Sequence, residues 1–115
     1  MPEPTFDAYG YPTDETLDII RTWDCTRLAD MEAAMDFAGR AWNWPKLWRK
    51  QPDWADPDDI ATYERRVLRY AFSTGGWSGN ESVVGAIEGN QMLQMIGAWS
   101  WRRGGHYEYR FPTGG

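Results

Sequence analysis

One histidine, one cysteine and a single serine motif mark where this chain of 115 residues could do chemistry. Gly76-Trp77-Ser78-Gly79-Asn80 comes near the Gly-x-Ser-x-Gly elbow, which lifts a nucleophilic serine onto a strand-to-helix turn. Its fifth residue is Asn80, the segment before it reads as helix, and His106 is the sole imidazole to act as base. Ser78 and Glu81 instead match the S-x-x-E capping box, a helix-start signal. His106-Tyr107-Glu108 contains the H-x-E of zinc deaminases without the Pro-Cys-x-x-Cys that completes their metal site. One imidazole among scattered carboxylates is a poor set for a transition metal. Cys25, being alone, closes no internal disulfide and joins no multi-cysteine zinc site. A lone cysteine fits a reducing compartment, where it is most often a small buried hydrophobe. The expectation is a chain with no catalytic residue, no metal and no cofactor, hence not an enzyme.

The remaining conspicuous residues belong to recognition. Eight Trp, six Tyr and four Phe exceed what a core this small needs, since each ring buries about 150 to 250 Å². Several fall in apparent connectors. Trp44, Trp48 and Trp54, with Arg49 between them and Trp77 further on, are expected to form a partner-binding surface, because Trp and Arg dominate binding hot spots. The competing reading makes these rings, with Trp42, a roof over the core. A second candidate follows from two double-glycine turns, Gly75-Gly76 and Gly104-Gly105, free to adopt positive φ. Were they to converge, Asn80, Arg102, Arg103, His106 and Tyr107 would surround a helix N-terminus suited to an anion. A third is an acidic surface of Asp14, Asp18, Glu32 and Asp36, stacked at i, i+4, which would imitate a phosphate track or simply be solvated.

Charge narrows the partner. The chain carries −5, and residues 1–36 hold nine carboxylates against Arg21 and Arg27, a balance of −7. The rest carries +2, eight acids against ten bases. Nucleic acid is not the expected partner of an acidic chain, because phosphate binding releases counterions only to cations. The first residues have neither a basic nor an apolar leader region, and no apolar run reaches the roughly 18 residues of a membrane span. No membrane association and a cytoplasmic location are expected.

These candidates must be held by elements. A single domain, 1–115, is expected, with 1–12 an extended arm broken by prolines. Thr13 caps a short helix reaching Trp23, and Leu28, Met31, Met35, Ala38 and Trp42 trace the face of a second from about Thr26 to Ala41. Residues 43–55 read as a connector, because Trp44-Pro45 ends the helical pattern. Asp56-Pro57-Asp58-Asp59 opens a third helix with Ile60, Tyr63, Val67 and Tyr70 or Ala71 inward, stopped by Gly75-Gly76. A fourth runs from Ser78 through Val83, Val84 and Ile87. A last carries Met92, Met95 or Ile96, and Trp99. The alternation of His106–Phe111 predicts a strand, pairing with the arm near Phe6 or with Trp99–Trp101. The expected fold is mainly α: a compact bundle of four to five helices with a short C-terminal strand or hairpin. Leu28, Met31, Met35, Val67 and Ile96 are its expected core.

Gly75-Gly76-Trp77-Ser78-Gly79-Asn80-Glu81, followed by Arg102-Arg103-Gly104-Gly105-His106-Tyr107-Glu108-Tyr109, resembles small uncharacterised proteins of bacteriophages and prophages. Gly10-Tyr11-Pro12-Thr13-Asp14-Glu15-Thr16-Leu17 is similar to phage proteins of actinobacterial hosts. The resemblance covers the C-terminal third firmly and the remainder loosely, and implies a phage gene context without an activity. The expected function is non-catalytic protein binding, as a phage accessory protein that inhibits or redirects a host factor in takeover or anti-defence. The alternative is a phage structural or assembly protein acting as a homo-oligomer, and the third reading is a small-ligand or anion-binding protein or enzyme. The partner would be a host or phage protein in the bacterial cytoplasm.

Overall fold

The computed structural model describes residues 2–55, 66–97 and 105–112. Helix α1 spans Asp14–Thr22 and starts as its sequence requires: Thr13 Oγ1 accepts from Thr16 N, and Asp14 and Glu15 meet the positive end of the helix dipole. Helix α2 spans Leu28–Arg40. The Asp30 carboxylate accepts from Thr26 N and Arg27 N at 3.2 and 3.0 Å, satisfying donors outside the helical ladder. Met31, Ala34, Met35, Phe37 and Ala38 are buried along it, and Leu28 partly so.

The expected helical bundle is overturned, because the described residues form four helices and a three-stranded antiparallel sheet, an α+β fold. Strands β1 (Trp48–Ala55), β2 (Arg66–Ser73) and β3 (His106–Pro112) lie in the order β1-β2-β3. The expected connector 43–55 is thus a short 3-10 turn, Pro45–Leu47, running into β1. The third helix fails where it can be compared: its second half is β2, the central strand, while 56–65 lie outside the described residues. Leu68, Tyr70 and Phe72 point into the core from alternate positions, the period of a strand. The strand at His106 pairs with β2, Ser73 facing His106 and Val67 facing Pro112, and not with the arm.

Between β2 and β3 the chain makes α3 (Ser78–Glu88) and α4 (Gln91–Gly97). Trp77, not Ser78, occupies the capping position of α3 and offers no side-chain bond, so the capping box is not formed. In α4 Leu93 is buried while Met92, Met95 and Ile96 are exposed, which removes Ile96 from the core. Trp99 lies outside the described residues. Asn90 joins the helices: its Nδ2 donates to Ile20 O and Trp23 O at 2.9 and 3.1 Å, and its Oδ1 accepts from Leu93 N.

The helices and the inner face of the sheet share one core, in which Ile20, Met35, Phe37, Val83, Ile87 and Leu93 meet Tyr70, Phe72 and Phe111. Val67 is also buried, outside that cluster. Polar ties fix α2 to the sheet. Tyr70 Oη donates to Asp36 at 2.8 Å, Trp42 Nε1 donates to Ser73 O at 3.2 Å, and Lys50 Nζ pairs with Glu32 and Asp36 at 2.7 and 2.9 Å. Burial opposes the charge on Lys50, but its hydrogen bonds to the Glu32 and Asp36 carboxylates, with their negative charge, outweigh it and raise its pKa.

Candidate recognition site

The expected arm is a closed loop. Asp7 N donates to Tyr11 O, the Asp7 carboxylate accepts from Tyr9 N and Tyr11 N, and Phe6 bridges Pro12. Its base is pinned to α1, because Thr5 N donates to Thr16 Oγ1 at 2.8 Å and Thr16 Oγ1 donates back to Thr5 O. The loop presents Tyr9, 85% exposed, and lays Tyr11 on Trp77 with centroids 5.0 Å apart and planes 18° from parallel.

Trp77 in turn meets Trp44 at 6.3 Å, completing a surface row of Tyr11, Trp77 and Trp44. Trp44 is 46% exposed and is, among the described residues, the one non-glycine residue with positive φ, at 63°. For a bulky side chain that conformation costs about 1 to 3 kcal/mol and persists only where its surroundings impose it. Asn80 imposes it here: Oδ1 accepts from Asn43 N at 2.8 Å, and Nδ2 donates to Asn43 O and Thr74 O at 3.0 and 3.2 Å. Leu47 N closes the next turn onto Trp44 O at 2.9 Å. Gly75, itself at φ 63°, makes room for the ring, since a Cβ there would sit 2.7 Å from Trp44 Cζ3. Gly79 is likewise overlain by the Trp77 ring.

The five expected partner-binding residues therefore separate. Trp44 and Trp77 come together, with Tyr11 added. Trp48 turns inward, stacked on Phe72 at 4.4 Å and set against Gly39. Arg49 lies on the opposite face of β1. Trp54 sits opposite Val67, and its side chain lies outside the described residues.

The glycine turns do converge, Thr74 N donating to Gly105 O at 3.0 Å, and three of the five residues expected around α3, Asn80, His106 and Tyr107, are among the described residues. Asn80 is buried and spends its amide on the backbone of Asn43 and Thr74. His106 is exposed, with Nδ1 hydrogen-bonded to the Ser73 hydroxyl. Tyr107 stacks on Phe72 at 5.7 Å, and Arg102 and Arg103 lie outside the described residues. Of the acidic set, Asp14 and Asp18 are exposed on α1, Asp18 paired with Arg21, while Glu32 and Asp36 are held by Lys50. Cys25 is buried, and burial pushes its thiol pKa up despite the Asn90 side chain, with Asp30 and Asp24 adding to the rise.

A serine-histidine contact has the residue types of a nucleophile and its base. Glu108, two residues beyond His106 on β3, binds both Arg69 and Arg110. Among the described residues no three His, Cys, Asp or Glu side chains gather as a metal site would require. No described helix is long and apolar enough to cross a membrane. Comparison with protein-family models, with curated proteins and with solved structures finds no match to this chain.

Sequence reasoning missed Tyr11, because its contact with Trp77 spans the chain, and missed Ser73, because β2 read as helix. The signal for Ser73 was the alternation Leu68, Tyr70, Phe72, which places Arg69, Ala71 and Ser73 on one face.

Proposed function

We propose that the chain is a non-catalytic protein-binding module whose partner docks on the row formed by Tyr11, Trp77 and Trp44. The supporting observation is Trp44: a large ring kept half in solvent on a strained backbone, held by a buried asparagine and given room by Gly75. Strain retained at a surface aromatic is a mark of function, and exposed Trp and Tyr are the usual anchors of interfaces. The resemblance to phage proteins makes the partner a host or phage protein, bound in the bacterial cytoplasm to inhibit or redirect it.

The test is separate Trp44→Gly, Trp77→Ala and Tyr11→Ala substitution, with melting temperature and affinity for the protein the wild type retains. Loss of about 2 kcal/mol of affinity or more in at least two variants, with folding intact, supports the reading. Unchanged affinity in all three removes it. Self-association is the second reading, favoured by β3, which pairs on one side only in the described sheet. A molar mass that rises with concentration, measured by sedimentation, would replace the first reading with this one.

A further inference from the structure

We propose that the outer face of the sheet binds a phosphate dianion, free or as a small monoester, between Lys46 and Arg49. The strand register builds the place. Arg49, Ala71 and Glu108 form one cross-strand row, and Ser73 and His106 face each other in the next. Ala71, the smallest side chain at the centre, leaves a hollow of about 660 Å³ whose walls include Lys46, Leu47, Arg49, Arg69, Ser73 and His106. That volume falls within the range of small-molecule sites, about 300 to 1,000 Å³.

Its charge runs against that of the molecule. The chain carries −5, yet Lys46, Arg49 and Arg69 line the hollow against Glu108 alone. Glu108 is half-buried and already shared by Arg69 and Arg110, and Arg69 is further held by Gln51, so these groups form a fixed floor. Lys46 and Arg49 are exposed and pair with no carboxylate among the described residues. They are the cations available to a ligand. An arginine fork and a lysine ammonium supply the donors that phosphate oxygens accept, beside the Ser73 hydroxyl that is hydrogen-bonded to His106 Nδ1.

A polynucleotide fits this face less well than a small phosphate. Single-stranded nucleic acid stacks its bases on aromatic rings. Here Tyr70, Tyr109 and Phe111 point the other way, into the core, and the two aromatic residues that line the hollow, Phe72 and Tyr107, are stacked on each other, with Phe72 buried. Lys46 and Leu47 follow closely on Trp44, so the hollow borders the aromatic row, but its test reads phosphate binding and not protein binding.

The experiment is a titration of the intact chain, followed by amide chemical shifts, with inorganic phosphate and with phenyl phosphate at constant ionic strength. Acetate and a single-stranded oligonucleotide serve as controls. Saturable shifts at millimolar phosphate or below, centred on Arg49, Ser73 and His106 and weakened by about tenfold or more in Lys46→Gln/Arg49→Gln, are expected. Both residues are on the surface, and an unchanged melting temperature certifies the variant. Preference for phenyl phosphate identifies a monoester as the ligand, and equal binding identifies free phosphate. Linear shifts, shifts centred elsewhere, equal response to acetate, tighter binding of the oligonucleotide, or an unaffected double variant would each overturn the site.

Discussion

Trp44 and Trp42 stand two residues apart and do opposite work. Trp42 is buried, its indole N–H on Ser73 O and its ring against Trp48 and Phe72. Trp44 gives up part of its packing energy to backbone strain. Trp42→Ala should therefore cost about 3 to 5 kcal/mol in urea unfolding. Trp44→Gly should change stability by no more than about 1 kcal/mol, because glycine relieves the strain while the half-exposed ring is lost. A loss above about 3 kcal/mol in Trp44→Gly would make that ring part of the core. Cys25 gives a second check at this scale. Burial raises its thiol pKa, so the native protein should react with Ellman's reagent only as fast as it unfolds. Prompt labelling at neutral pH would show an open thiol.

At the scale of elements, the tie between α2 and the sheet is a phenol on a carboxylate. Burial, then the hydrogen bond and charge of Asp36, raise the Tyr70 pKa far above its ordinary value of 10.0. The neutral phenol is thus favoured in the folded state, so its contribution is complete below the unfolded value near pH 10. It is lost as pH rises, because the unfolded chain releases the proton first. Unfolding free energy should fall above about pH 10, and the fall should be shallower in Tyr70→Phe. Parallel pH profiles for the two proteins would separate Tyr70 from alkaline stability. At neutral pH the same substitution should cost about 1 kcal/mol, the worth of one hydrogen bond. The elements also show where sequence reasoning reached and where it stopped. Helix α1 was legible from its cap and α2 and α3 from apolar spacing, signals that are local, although the capping box read at Ser78 does not form. Strand β2 was not, because Val67, Tyr70 and Ala71 match a helix while Leu68, Tyr70 and Phe72 match a strand, and the strong start at Asp56-Pro57 tipped the balance. Strand β1 was hidden by Pro52, which argues against a strand except at an edge or bulge. It lies at both: β1 is at the edge of the described sheet, and its pairing shifts between Gln51 and Trp54.

For the molecule as a whole, the two layers separate tasks that composition alone had merged. The inner sheet face and the helices use most of the described aromatics as core, and of the rings left outside it, which include Phe6 and Tyr9, Tyr11, Trp77 and Trp44 meet in a row. Trp44 and Trp77 were legible by residue type, but their meeting with Tyr11 depends on a loop closed by Asp7 and on glycines at 75 and 79, long-range facts with no periodic signature. The central claim is that a protein partner docks at this row, and site-specific photo-crosslinking tests it most directly. A benzophenone side chain is placed at Tyr9, on the loop carrying Tyr11, and in a second variant at Met95, which is 76% exposed on α4. Both are irradiated in bacterial host lysate. One predominant protein adduct is expected from position 9, absent from position 95 and lost when Trp44→Gly is added. Identical adducts from the two positions, or an adduct at position 9 that survives Trp44→Gly unchanged, would contradict that claim.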